Sequence, residues 1–245
     1  MTVVGIAGCT ALMTAGFGIK NSIESLIHNQ YGELIHYDSV ATFTDGVTQE
    51  DMDTLEGDLS ADGHIDDFLL NCGYSDDVKS SEDTETAEYV IVDDKNAFKD
   101  YVTLRTRRKH NDVVLGDSGV VITEKLSKDL GVKKGDKITV TSSAGKQAEA
   151  VVSGITEMYV NHYVYISTEY YNELFGNIPE HNRVLIKISG DVNETESYMG
   201  DEYLSRDYIK GVSFLNANVT RFENMIQSLD LVTWVLIISA GMLAF

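Results

Sequence analysis

The sequence holds many carboxylates, but few residues are arranged as a catalytic site would require. Pairs such as Asp66-Asp67 and Asp76-Asp77 supply the two carboxylates that a glycosidase places beside one sugar bond. However, 39 acidic residues stand against 19 basic ones, for a formal net charge of −20. In so acidic a chain, such pairs are typical of a solvated surface. Loose calcium binding by an acidic loop is an alternative, although the ligand order of an EF-hand is absent.

Other sequence signatures of chemistry are missing. There is no G-x-x-x-x-G-K-[ST] loop, G-x-G-x-x-G, H-E-x-x-H or G-x-S-x-G. The six histidines show no close spacing that would suit a metal, and Cys72 has no cysteine partner in the polar region. The acidic balance opposes binding to nucleic acid. We therefore expect no enzyme activity, no cofactor, no metal and no nucleic-acid partner.

One basic cluster interrupts the acidic chain at RTRRKH. It consists of Arg105, Arg107, Arg108 and Lys109. These side chains either contact a partner, a phosphate or a lipid headgroup, or they balance the surrounding negative charge. Five tyrosines likewise either line an apolar groove or pack within the fold: Tyr159, Tyr163, Tyr165, Tyr170 and Tyr171.

Both ends of the chain are free of charge, because every charged residue lies between Lys20 and Asp230. As a helix, residues 1–19 would extend about 28 Å, close to the hydrocarbon thickness of about 30 Å. No basic residue precedes this run, and Cys9 follows only eight residues. We therefore favour a membrane helix over a signal peptide, a lipoprotein signal or a buried helix. Residues 231–245 would reach only about 22 Å, which predicts a truncated second membrane helix.

Amphipathic stripes continue both apolar runs towards the middle of the chain. Apolar residues recur at helical spacing, with polar residues on the opposite face. We predict two stalk helices that pack side by side through these stripes. The stripes consist of Ile19, Ile23, Leu26, Ile27, Val219, Phe222, Ile226 and Leu229.

The middle of the chain has an α+β pattern. In GVVITEKLSKDLGVKKGDKITV, a short strand precedes a helix that Thr123 would cap and Gly131 would end. The closely spaced strands that follow predict a small, partly closed barrel. Before this unit, the predicted strands are LIHYDSVATF, DDFLLNCGY and EYVIVDD, and Thr48 caps a predicted helix. The polar segment SDDVKSSEDTE is predicted to be a loop or a hairpin tip.

Four stretches resemble the FtsX/MacB-like permeases of ABC transporters, especially those of Gram-positive bacteria. They are VVGIAGCTALMTAGFGIKNSI, GVVITEKLSKDLGVKKGDKITV, VSGITEMYVNHYVYISTEYYNELFG and the closing helix. Such permeases have four membrane helices, with a large external domain between the first two. The resemblance therefore implies that this chain is a fragment that ends within the second helix.

The resemblance implies an α+β fold. A porter-like α/β unit carries an inserted small β-rich, partly barrel-like lobe, and two membrane helices with amphipathic stalks flank it. The expected domains are a first transmembrane helix (1–19), a stalk helix (20–31), the first porter-like α/β segment (32–75), the small lobe (76–180), the second porter-like α/β segment (181–218), a second stalk helix (219–230) and the truncated second transmembrane helix (231–245).

The resemblance also implies a function without catalysis by this chain. A separate cytoplasmic ATPase would drive motion that the external domain transmits, for export of a lipid, lipoprotein or peptide, or for resistance to antimicrobial peptides. The alternatives are an FtsX-like adaptor that activates a cell-wall hydrolase, and a membrane-anchored enzyme. Expected partners are the ATPase, the lipid bilayer and a second permease chain in a homodimer or heterodimer. The expected location is the bacterial plasma membrane, as a multi-pass protein with the central domain outside the cytoplasm.

Overall fold

The computed structural model describes residues 2–190, 192–217, 219–220, 222, 224, 226, 234–235 and 238–239. The helices are α1 (Thr2–Ile27), α2 (Gln49–Ala61), α3 (Lys95–Tyr101), α4 (Glu124–Asp129), α5 (Thr168–Phe175) and α6 (Val192–Leu204). The strands are β1 (Ser39–Phe43), β2 (Ile65–Lys79), β3 (Thr84–Val92), β4 (Val120–Thr123), β5 (Lys137–Thr141), β6 (Gln147–Thr156), β7 (Tyr163–Ser167), β8 (Arg183–Ile188) and β9 (Ile209–Phe214). A π-helical segment, His28–Leu34, follows α1.

Residues Leu34–Phe214 form one compact unit that contains all nine strands named above. The strand order is β3-β7-β4-β6-β5-β2-β8-β1-β9, with an additional pairing of β3 with β2. Strand β2 belongs to two sheets, because its residues up to Asn71 pair with β8 and those from Cys72 onward pair with β3. The mixed fold agrees with the α+β class expected from the sequence.

The strands β2, β3, β7, β4, β6 and β5 form a closed ring, which we call the barrel. The ring closes where Lys79 of β2 pairs with Thr139 of β5. Alternate residues point inward, as the two-residue period of a strand requires. They form a core in which Tyr89, Ile122, Val140 and Val164 are buried, and α4 and α5 contribute Leu126 and Tyr171 to it. The predicted small barrel is therefore present.

Local sequence signals explain several helix ends. Thr48 and Asp51 form a reciprocal capping box at the start of α2. Gly131 and Gly176 have φ values of 67° and 79°, the left-handed conformation that favours glycine after a helix. Thr123 precedes α4 as predicted, but its side chain makes no capping hydrogen bond. Instead, its hydroxyl accepts a hydrogen bond from the Tyr163 N–H at 3.4 Å.

The remaining strands form the second sheet, which we call the outer sheet. It runs β9-β1-β8 and ends on the first half of β2. Helices α2 and α6 cover it with Leu55, Leu59, Met199 and Tyr203. Ser39 of β1 pairs directly with Phe214 of β9, so the first and last strands of this unit lie side by side.

One strand prediction needs correction, and one choice between a loop and a hairpin tip is settled. The strand predicted in LIHYDSVATF begins only at Ser39, because the preceding residues end the π-helical segment and add only an isolated bridge between Ile35 and Val102. The segment SDDVKSSEDTE is the hairpin tip of the two predicted alternatives, since Lys79 at the end of β2 pairs with Thr84 at the start of β3. Val78 in this segment and Ala87 just after it are buried in the barrel, while acidic residues between them face solvent.

The described residues of Met1–Glu33 and Leu215–Phe245 form a second compact unit. Those beyond Phe214 are helical. Of the predicted stalk residues, Ile226 is buried and Ile19 is exposed; Leu229 lies outside the described residues. Ile23, Leu26, Ile27, Val219 and Phe222 are half-buried. A membrane span needs a helix both long and apolar, and none meets both requirements in the described part of the chain.

Candidate functional site

The predicted basic cluster lies in the loop that connects α3 to β4. Within this loop the chain folds back on itself, since Thr106 N–H donates to the Asn111 carbonyl at 2.8 Å and Val113 N–H donates to the Leu104 carbonyl at 2.8 Å. His110, with φ of 50°, occupies the left-handed region at the tip. The loop therefore presents residues 107–110 as a tight turn.

Arg105 anchors this turn to the barrel. Its Nε donates to Glu157 Oε2 at 2.9 Å, and the two side chains are only 12% and 3% exposed. Tyr159 also donates its hydroxyl proton to Glu157. The Arg105 N–H donates to the Thr156 hydroxyl at 3.0 Å, so backbone and side chain are both held. Arg105 is therefore a structural residue, and its charge is not available to a partner.

The other three basic residues are exposed. Arg107 lies 3.6 Å from Glu124 and stacks over the Tyr159 ring, with 5.1 Å between the guanidinium carbon and the ring centroid. Arg108 and Lys109 are exposed and form no ion pair with any residue that the structure describes. The cluster thus divides into one buried anchor and an exposed positive turn.

A groove of about 460 Å³ runs beside this turn, between α3 and the rest of the same loop. Its lining is largely apolar and includes Phe98, Leu104 and Leu115. Val114 is 71% exposed at the same place. Lys95 also lines the groove, and its hydrogen bond to Asp117 raises its pKa. We call the turn and the groove together the basic–apolar face.

The predicted tyrosines lie in three environments. Tyr170 and Tyr171 are buried in the barrel core. Tyr163 and Tyr165 lie on the outer wall of the barrel, and their rings stack at 5.7 Å. Tyr159 supports the basic turn through its contacts with Arg107 and Glu157.

The free cysteine and the carboxylate pair Asp66-Asp67 lie in different surroundings. Burial raises the pKa of the Cys72 thiol to about 11, so the thiol stays protonated and a poor nucleophile at neutral pH. Asp66 and Asp67 are exposed. Within the described residues, no group of three or more His, Cys, Asp or Glu side chains suits a metal ion.

Sequence reasoning missed a polar network at the point where β2 leaves the outer sheet for the barrel. Asn182 accepts a hydrogen bond from the Gly73 N–H at 2.9 Å and donates to the Gly73 carbonyl at 2.8 Å. Arg183 donates from Nε to Asn71 Oδ1 at 2.9 Å and also binds Glu88. These partners lie about a hundred residues apart in sequence, so no local pattern marks them.

Comparison with known proteins assigns the chain to a family. A family model, the MacB-like periplasmic core domain, matches residues 2–198. Because this match covers most of the chain, the chain belongs to that family, and the resemblance to MacB/FtsX-like ABC transporter permeases is confirmed.

The chain is also similar to solved structures of such domains. The periplasmic region of MacB from Actinobacillus actinomycetemcomitans is 13% identical, with a TM-score of 0.44, over 83% of this chain and 98% of that one. The extracellular domain of the noncanonic ABC-type transporter YknZ from Gram-positive bacteria is 12% identical, with a TM-score of 0.40, over 73% of this chain and 98% of that one. No curated protein matches the chain in sequence.

Proposed function

We propose that this chain transmits the ATP-driven motion of a separate cytoplasmic ATPase to the outside of a bacterial plasma membrane. Residues 1–19 and 231–245 would attach it to the bilayer as parts of two membrane helices of a dimeric permease. This motion would drive the export of a lipid, lipoprotein or peptide, or would provide resistance to an antimicrobial peptide.

The pairing of β1 with β9 carries this proposal. Ser39 and Phe214 are neighbours on adjacent strands, so the chain enters the first strand of the unit Leu34–Phe214 beside the point where it leaves the last strand. The flanking segments cluster into a unit of their own. A relative shift of two flanking helices would therefore act directly on one pair of neighbouring strands, and a sheet joined by hydrogen bonds passes such a shift on as a rigid body.

Cross-linking of the predicted stalks tests the proposal. We would introduce cysteines at Ile23 and Ile226 in the full chain, assembled in membranes with its ATPase, and replace Cys9 by serine. Cys72 can remain, because it is buried with a raised pKa. We expect a bismaleimide to join the two cysteines, with a yield that changes at least about two-fold when ATP and vanadate trap the closed ATPase.

The matched control moves one cysteine to Ser25, an exposed position on the polar face of the same stalk. It should cross-link poorly in both states. Equal yields from the Ile23 and Ser25 pairs would refute the side-by-side packing. A cross-linking yield that is the same with and without ATP and vanadate would refute the transmission of motion.

The basic–apolar face favours a second candidate function, that of an adaptor for an external protein. An exposed positive turn beside an apolar groove is unusual in a chain with a net charge of −20, and both features are typical of protein-binding surfaces. Affinity capture with the full chain distinguishes the two functions: an adaptor retains a cell-wall hydrolase, and an exporter retains its transported substrate.

A further inference from the structure

A second cavity, of about 190 Å³, lies where the barrel meets the outer sheet. One wall is the outer face of β3 and β7, and the opposite wall includes Asn71 of β2 and Arg183 of β8. Asn161 is exposed and also lines the cavity, which therefore opens to solvent on that side. The cavity shares Phe98 and Val102 with the lining of the groove beside the basic turn.

The wall that the barrel contributes to this cavity is aromatic, because successive side chains of a strand point to opposite faces. Tyr89 on β3 and Val164 on β7 point into the barrel, so Val90 and Tyr165, their neighbours in sequence, point outward. Val90 pairs with Tyr165 across the two strands. The Tyr165 ring stacks on Tyr163 and lies 5.9 Å from the Phe98 ring, tilted by 56°. Such walls suit a flat ring, which would add another stacked or tilted contact.

The volume limits what the cavity holds. An apolar cavity of about 150 Å³ is known to hold one benzene molecule. The present cavity is slightly larger, so it has room for one ring and a small substituent. A two-ring ligand would have to extend out of the mouth.

The polar groups in the cavity wall determine which substituent on the ligand's ring would bind well. Arg183 donates to Glu88 and to Asn71 Oδ1, so one positive and one negative charge already neutralise each other. This balance favours an uncharged ligand. Asn71 is 2% exposed, and its amide nitrogen Nδ2 has no hydrogen-bond partner among the described residues. A buried donor without a partner is costly, and a ligand oxygen would satisfy it.

We propose that this cavity binds a single uncharged aromatic ring that carries a hydrogen-bond acceptor. This chemistry occurs in small free aromatic compounds and in the tyrosine side chain of a polypeptide. The ring would lie against Tyr163 and Tyr165, and its acceptor would approach Asn71. The proposal stands apart from the proposed transport function, because it requires neither an ATPase nor motion.

Binding is measured on the full chain by NMR, with acetophenone as the ring with an acceptor and ethylbenzene as the ring without one. We expect acetophenone to shift the backbone amide signals of Asn71, Tyr163 and Tyr165 at saturation. It should bind about five-fold more tightly than ethylbenzene, the effect of one hydrogen bond. Equal affinities for the two compounds, or shifts that avoid these residues, would overturn the proposal.

Two variants make the test specific. Val90→Phe places a ring in the cavity and should abolish the binding of both compounds. Ile178→Phe adds a ring at an exposed position that lines neither this cavity nor the groove, and should leave binding intact. Asn71→Asp keeps an acceptor for Arg183 but removes the free donor, so acetophenone should bind about five-fold more weakly and ethylbenzene should be unaffected. Undiminished acetophenone binding in a folded Asn71→Asp protein would contradict the assignment of the donor.

A third ligand distinguishes the two sources of the ring. The blocked tripeptide N-acetyl-Gly-Tyr-Gly-amide carries the same chemistry on a polypeptide backbone. If the tripeptide shifts the same amide signals in the wild-type protein but not in Val90→Phe, the cavity accepts a partner's tyrosine side chain. If only acetophenone does so, the mouth admits free small aromatics alone.

Discussion

The barrel and the outer sheet differ in how their core residues are distributed along the sequence. The buried core of the barrel comes from one continuous stretch, from Cys72 to Phe175. The core of the outer sheet combines residues from Ala41 to Leu70 with residues from Val184 to Phe214. The barrel is therefore a self-contained unit placed within the sequence of the sheet.

This difference places particular demands on the junction between them. An inserted unit is tolerated when its two ends lie close together, so that the host sheet can close around it. Here the ends meet at Gly73 and Asn182, which exchange two hydrogen bonds. The sheet can therefore pair β2 with β8 across more than a hundred residues of intervening chain, because the barrel fixes the distance between the ends.

The largest expected effect compares one acidic side chain from each region. Glu157 follows β6 of the barrel and binds Arg105 with only 3% of its side chain exposed. Asp58, on α2 over the outer sheet, binds Arg206 with 45% exposed. Glu157→Ala removes the buried carboxylate of this ion pair and should lower the free energy of unfolding by about 3–5 kcal/mol. Asp58→Ala should cost less than about 1 kcal/mol, because water screens an exposed pair.

Chemical denaturation of the full chain measures the loss of unfolding free energy in both variants. Glu173→Ala, an exposed position on α5, is the matched control and should change the free energy by less than about 0.5 kcal/mol. Similar losses in the Glu157 and Asp58 variants would show that the barrel gains no special stability from its buried ion pair.

A smaller effect is expected at the junction itself. A Cβ atom added at Gly73 would collide with the guanidinium group of Arg183, which must then move away from Asn71 and Glu88. We expect Gly73→Ala to cost about 1–3 kcal/mol, in the range of other overpacked sites. Gly211→Ala in β9 has nothing within 4 Å of the added atom and serves as the control. If both variants were equally stable, the close approach at the junction would not matter to the fold.

The fold was predictable where it depends on near neighbours in sequence. Thr48, Gly131 and Gly176 occupy helix ends with the geometry that their residue types favour. The extent of β2 was not predictable, because Asp76 and Asp77 hide the two-residue period of the buried side chains around them. The pairing of β2 with β8 depends on contacts over long sequence distances, which no local pattern records.

The candidate sites show the same limit. The basic cluster was visible as a run of four charges, but the separation of Arg105 from Arg108 and Lys109 follows from Glu157, which lies about fifty residues away. The junction cavity was invisible for the same reason, since Asn71 and Arg183 meet only after both sheets have formed. Two of the five predicted tyrosines lie on its wall, while two others pack in the core.

The smallest expected effect is a pH dependence at the second contact between the regions. His181 precedes β8 of the outer sheet and is hydrogen-bonded to Asp93, which follows β3 of the barrel. This bond raises the pKa of His181 above its ordinary value of 6.5 and lowers the pKa of Asp93. Since the folded state holds the histidine proton more tightly than the unfolded state, the contribution is complete below pH 6.5 and is lost as pH rises through the raised pKa.

We therefore expect the full chain to lose less than about 1 kcal/mol of stability from this pair between about pH 6 and pH 9, because both side chains are partly exposed. His181→Gln should remove this loss. His36→Gln is an informative control, because burial lowers the pKa of His36 and its contribution therefore has the opposite sign. If unfolding of the His181→Gln protein kept the wild-type pH slope, the contact would not link the barrel to the outer sheet, and the junction at Gly73 and Asn182 would be left to hold the two regions together.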